Sequence, residues 1–180
     1  MLKTKFPNAS FIYTILWLII SLSFLSFIYH LRWLISFITN KNLFVVPNNE
    51  VPVIWFTTQI CSNIIFLWVG FLLLTLFKNY FRTGFFDDNS TKVFNKIILF
   101  CITLALIGVA HTISKNIIEL HFNDWNSIFG IANLLFRSGT KLLVFNEPQT
   151  MYFLLAIILW CVKEFVTKAL FIKSENESFV

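Results

Sequence analysis

Three polar side chains stand inside long apolar blocks, where the solvation they need is hardest to find: Gln59, Asn63 and His111. Gln59 and Asn63 are four residues apart, a spacing that sets both amides on one face of a helix. Exposure of that face to lipid is costly, so it belongs against another helix. Two chemistries follow: hydrogen bonding between helices, which is the commoner use of buried amides, and a lining for a solute path. His111 is the one histidine inside the apolar blocks, and an ionisable residue at such a position is a candidate for proton relay or ligand binding. It lies about a turn from Lys115 and an interface, and no second histidine or carboxylate is spaced to share a metal with it.

A fourth and fifth candidate, Lys163 and Glu164, adjoin each other in the last apolar block. The lysine stem can snorkel to an interface, and Glu164 precedes Lys168 by four residues, the favourable order for a helical ion pair. Gly70, Gly108 and Thr112 read as points of close helix approach. Cys61, Cys101 and Cys161 fall one to each of three blocks, with no CxxC pattern and no neighbouring histidine, and read as small apolar side chains. Glu119 and His121 lack the His-Glu-x-x-His order of a zinc protease, and no phosphate loop, nucleophile elbow or paired-carboxylate motif occurs. No catalytic residue, cofactor or metal is expected, and an enzyme is disfavoured.

The elements that must position these groups are membrane helices. Of 180 residues, 57% are hydrophobic and 13% charged, with a mean hydropathy of +0.76. A soluble domain carries about a quarter charged residues. The chain reads as one all-α integral membrane domain, residues 1–180, with four transmembrane helices at about 11–30, 53–77, 93–114 and 150–170. The first three follow from uncharged runs long enough for a bilayer of about 30 Å. The fourth has only 13 uncharged residues, 150–162, and crosses only by carrying Lys163 and Glu164.

Between the spans, loops at 31–52 and 115–149 share one side, and a hairpin at 78–92 shares the other with the tail at 171–180. The runs 43–46 and 51–54 read as a short hairpin in the first loop. In the second, Ile128, Ile131, Leu135 and Leu142 give one face of an interfacial helix, broken near Gly139. Asp87, Asp88, Asn89 and Ser90 are N-cap candidates for the third span.

Nine basic residues flank the side holding the termini and the 78–92 hairpin, against five on the other. By the positive-inside rule the termini are cytoplasmic. The richness in Phe, Ile, Asn and Lys fits an AT-rich bacterial genome, which makes the cytoplasmic (inner) membrane the expected location. The net charge of +5 belongs to this topology, and no direct contact with nucleic acid is expected.

Two cytoplasmic segments resemble a known family. The run Gly84-Phe85-Phe86-Asp87-Asp88-Asn89-Ser90-Thr91-Lys92-Val93-Phe94-Asn95-Lys96-Ile97 has a Gly-x-Phe turn, an acidic cap and a basic-apolar helix start. The closing run from Lys163 through Glu175-Asn176-Glu177-Ser178-Phe179-Val180 ends in an acidic-aliphatic tail, with Ser178-Phe179 where the family has Leu-Thr. Both are similar to the YoaS-like family of small bacterial four-span membrane proteins, a domain-of-unknown-function family often encoded beside a Cro-type helix-turn-helix regulator.

The resemblance implies a non-enzymatic regulatory protein that engages a cytoplasmic partner. Gly84, Phe86, Asp87, Asp88 and Lys92 on the hairpin, with Glu175, Asn176, Glu177, Phe179 and Val180 on an extended tail, are the candidate contacts. The alternatives are a small channel or transport component using Gln59, Asn63, His111 and Lys163, and a membrane sensor of an envelope or lipid-soluble signal. Nothing in the pattern selects an oligomeric state.

Overall fold

The computed structural model describes residues 9–39, 52–83, 88–119, 127–141 and 147–178. All the regular structure among them is helical: α1 Ala9–Ile38, α2 Pro52–Thr83, α3 Asp88–Glu119, α4 Ile128–Thr140 and α5 Pro148–Ser178. α1, α2 and α3 are long and apolar enough to cross a membrane, over Ser10–Ile38, Val53–Arg82 and Asn89–Ile118. At the helical rise their 30 to 32 residues reach about 45–48 Å. That exceeds the hydrocarbon thickness, so the helices reach past the apolar layer, α2 with Lys78 and Arg82 and α3 with Lys92 and Lys115 near their ends.

Helix boundaries follow local chemistry. Pro52 and Pro148 open α2 and α5, where a missing N–H costs nothing. Ser127 caps α4, accepting from the Gly130 N–H at 3.2 Å with its own backbone extended. Threonines and serines inside the long helices return their hydroxyls to carbonyls one turn back, as Thr57 does to Val53 and Thr103 to Leu99, so they enter lipid already satisfied.

Neighbouring helices run antiparallel. Tyr13 near the start of α1 meets Phe81 near the end of α2, and Phe37 near the end of α1 meets Phe56 near the start of α2. Gly70 lets these two close: a Cβ there would come within 2.5 Å of Ile20. α3 packs on α2 and, most extensively, on α5, around Ile97, Cys101 and Ala156 with Val69, Leu72 and Leu73 against them. Large apolar side chains such as Trp17, Leu22, Trp68, Leu106, Ile158 and Trp160 point outward. Lipid is the solvent that suits them.

Several expected boundaries differ. α2 continues past Phe77 through Lys78 to Thr83, whereas α3 begins at Asp88, among the expected cap residues, so most of the 78–92 hairpin is helix. Lys78, Arg82 and Lys92 fall on these stretches, and charged residues suit helix that continues into water. Pro52, Val53 and Ile54 form the first turn of α2, which removes the second arm of the expected short hairpin. Its first arm lies outside the described residues. α5 stays helical to Ser178, so Glu175, Asn176 and Glu177 are not an extended tail. α5 matches the three apolar helices in length, but Lys163 and Glu164 sit at its middle.

α4 forms in the second loop as expected, and the face opposite its exposed apolar residues packs inward. Leu134 and Ser138 are buried, whereas Ile128 and Phe129 are 88% and 83% exposed, and Leu135 and Phe136 also face outward. A hydrogen bond between Asn116 Nδ2 and Ser138 Oγ, 2.9 Å long, joins this inward stripe to α3.

Candidate polar cavity

Two stripes of side chains with the same spacing face each other across the bundle. On α2 they are Trp55, Thr58, Gln59, Ser62, Asn63 and Phe66. On α3 they are Leu104, Ile107, Gly108, His111, Thr112 and Lys115. Each repeats at three and four residues, the period that keeps one helix face aligned. With Lys141, Glu147, Pro148, Gln149 and Tyr152 they enclose a partly open cavity of about 440 Å³. Six residues of α3 line it, and Leu104 and Lys115 at its two ends are eleven helical steps apart, a depth of about 16 Å.

The lining is graded. Lys115, Lys141 and Glu147 stand at one end, and amides, hydroxyls and His111 line the middle. Phe66, Leu104 and Ile107 form the floor, beneath which the Ile97, Cys101 and Ala156 core fills the space between helices. The charged end lies near the C-terminus of α3 and the N-terminus of α2.

Specific bonds hold the walls. Gln149, buried at the start of α5, donates to Thr112 Oγ1 at 3.3 Å and lies 3.4 Å from a Glu147 carboxylate oxygen. Its Cβ would be 2.8 Å from any Cβ at position 108, so Gly108 is required for α5 to approach α3 here. Lys141 donates to Asn116 Oδ1 at 3.3 Å, and the Lys141 carbonyl accepts from Thr150 Oγ1 at 3.2 Å. α3, the end of α4 and the start of α5 thus converge on the charged end.

Behind Asn63 stands His30, whose Nδ1 lies 2.7 Å from the Ser26 carbonyl oxygen. A carbonyl only accepts, so this nitrogen carries the proton. The Asn63 amide is 3.4 Å from the same nitrogen, and the His30 ring packs against Trp55 at 5.6 Å between centroids. His30 therefore packs against one cavity residue, Trp55, and neighbours a second, Asn63. The expected first span, about 11–30, ends on His30, which reads there as a boundary residue, whereas α1 continues to Ile38 and carries it inside the bundle.

Of the intramembrane candidates, Gln59, Asn63 and His111 come together in the cavity. Lys163 and Glu164 do not: they pair with each other at 3.0 Å, on another part of α5. This neighbour pair replaces the expected bond from Glu164 to Lys168, since Lys163 is drawn in to 20% exposure while Glu164 stays at 52%. Lys92 is exposed on the first turns of α3, and Asp88 opens that helix; Glu175 and Asn176 are exposed near the end of α5 and Glu177 lies on its last turn. Gly84, Phe86, Asp87, Phe179 and Val180 lie outside the described residues.

Sequence reasoning missed Gln149, Thr112 as a partner to it, Lys115, Lys141, Glu147 and Tyr152 as members of one site. Gln149 offered a signal, an amide placed directly before an apolar helix. Among the described residues no three His, Cys, Asp or Glu side chains gather to hold a metal. Of the cysteines only Cys101 is buried, while Cys161 faces outward.

No family model, curated protein or solved structure matches the chain.

Proposed function

We propose that the chain is a four-span protein of a bacterial inner membrane that binds a small molecule in its polar cavity and reports occupancy to a cytoplasmic partner. One observation carries this reading. Gln149, in the cavity wall, and Glu175, in the proposed contact region, lie on the same uninterrupted helix, α5. A shift of that wall on binding is a shift of the tail about 40 Å away, because a helix transmits displacement along its axis.

The fourth crossing rests on α5's length and on mutual neutralisation of Lys163 and Glu164 at 3.0 Å, which lowers the cost of carrying both through lipid. With four crossings the termini share the basic, cytoplasmic side, and the cavity opens toward the outside. The YoaS-like resemblance adds the nature of the partner, a helix-turn-helix regulator. Binding is favoured over conduction because the apolar floor and the core beneath it leave the cavity without an inner exit between α2, α3 and α5.

The test uses membranes bearing the full chain and the regulator encoded beside it. Capture of that regulator should be lost when residues 175–180 are deleted, and should change at least threefold in Ser62→Phe, which fills the cavity without touching the tail. Capture indifferent to both changes contradicts the reading.

A further inference from the structure

The order of chemistry along the cavity specifies its occupant. We infer that the cavity takes a small anionic amphiphile, an acidic head group on a short polar body with an apolar end. This rests on the cavity being a ligand site, as proposed above.

The head group is argued from charge. Among the described residues at the charged end are two ammonium groups, Lys115 and Lys141, and one carboxylate, Glu147, and the Lys141 ammonium is bonded to the uncharged Asn116 Oδ1 at 3.3 Å. Two ammonium groups near a low-dielectric wall attract an anion more strongly than they would in water. Lys141 is held there by its bond to Asn116 and by the hydroxyl of Thr150 on its carbonyl, so little ordering remains to be done when an anion arrives.

The body is argued from the middle layer. Gln59, Ser62, Asn63 and Tyr152 offer both donors and acceptors, which suits hydroxyl, ester or amide groups with no net charge. The apolar end is argued from Phe66, Leu104 and Ile107, which offer no hydrogen bond to a polar group. An amphiphile lying head outward and tail inward has the polarity of a lipid in the outer leaflet, so the site and the surrounding bilayer orient it alike.

Size restricts the class further. The 440 Å³ cavity lies within the range of about 300–1,000 Å³ used by drug-sized ligands, and its depth of about 16 Å takes one short chain. A two-chain membrane lipid does not fit inside it whole. The acidic group can therefore arrive on a single-chain amphiphile or as a free anion, and these are separable by experiment.

The full chain is reconstituted in nanodiscs of phosphatidylcholine, and saturable binding is measured by calorimetry for octyl phosphate, octyl glucoside, octyltrimethylammonium and inorganic phosphate. Octyl phosphate should bind at least tenfold more tightly than each of the others. Lys141→Gln should weaken it at least tenfold, and Ser62→Phe should abolish it while leaving thermal stability unchanged or raised. Inorganic phosphate binding as tightly as octyl phosphate overturns the amphiphile. Octyl glucoside or octyltrimethylammonium binding as tightly, and lost in Ser62→Phe, overturns the anionic class and leaves a ligand cavity standing. No saturable binding by any probe, or binding indifferent to Ser62→Phe, overturns both.

Discussion

Gly108 and Gly139 lie on neighbouring helices, and a methyl group added to each should act in opposite directions. At Gly108 a Cβ would meet the Gln149 Cβ at 2.8 Å, an atom too close to the backbone to swing aside. Gly108→Ala should therefore destabilise by about 1–3 kcal/mol, with α5 displaced from α3. At Gly139 nothing lies within 4 Å, so Gly139→Ala gains helix propensity alone, up to about 1 kcal/mol. Thermal unfolding of both variants in one lipid composition checks the sign of each. The same contrast explains what was legible in the residues. Gly70 and Gly108 announced close approach by their type. Gln59, Asn63 and His111 announced burial by their polarity in apolar blocks, but their meeting in one cavity depends on the register of α2 against α3, which single-helix spacing does not encode. Lys115, Lys141 and Glu147 looked like ordinary loop charges for that reason.

At the scale of elements, α4 is joined to the bundle along its length by Leu134 and the Asn116–Ser138 bond and at its end by the bonds of Lys141. Ser138 is fully buried, so Ser138→Ala leaves the Asn116 amide with a lost partner at a cost of about 1–3 kcal/mol. Faster amide exchange confined to 128–140 is the expected outcome, with α3 and α5 protected as before. Exchange rising equally in all helices would mean that α4 is integral to the fold. The exposed Ile128, Phe129, Leu135 and Phe136 give α4 an apolar outer face, the kind that an interfacial helix lays on a membrane. Helix existence was readable throughout from apolar length. The partner of α4's inner face was not, because Ser138 meets Asn116 through one buried polar bond that the apolar pattern of α4 does not announce. Helix ends were also understated, at Lys78 and at Glu175, since polar residues that prolong a helix into water resemble a loop when read alone.

At the scale of the molecule, the account joins an outward-opening cavity to a cytoplasmic tail through α5. Its topology predicts that Ser174→Cys is modified only in inside-out vesicles, with the protein stripped of Cys61, Cys101 and Cys161; modification from the outside would contradict a cytoplasmic end for α5. The cavity itself is tested most directly in the same cysteine-free background, with a charged, membrane-impermeant thiol reagent applied to spheroplasts. Gln59→Cys and Ser62→Cys line the cavity, whereas Trp68→Cys lies on the same helix with an outward-facing side chain. The account predicts rapid modification at positions 59 and 62 and none at 68. Protection of 59 and 62 from the outer reagent, or their modification only from the cytoplasmic side, would contradict a water-accessible cavity in the outer half of the membrane.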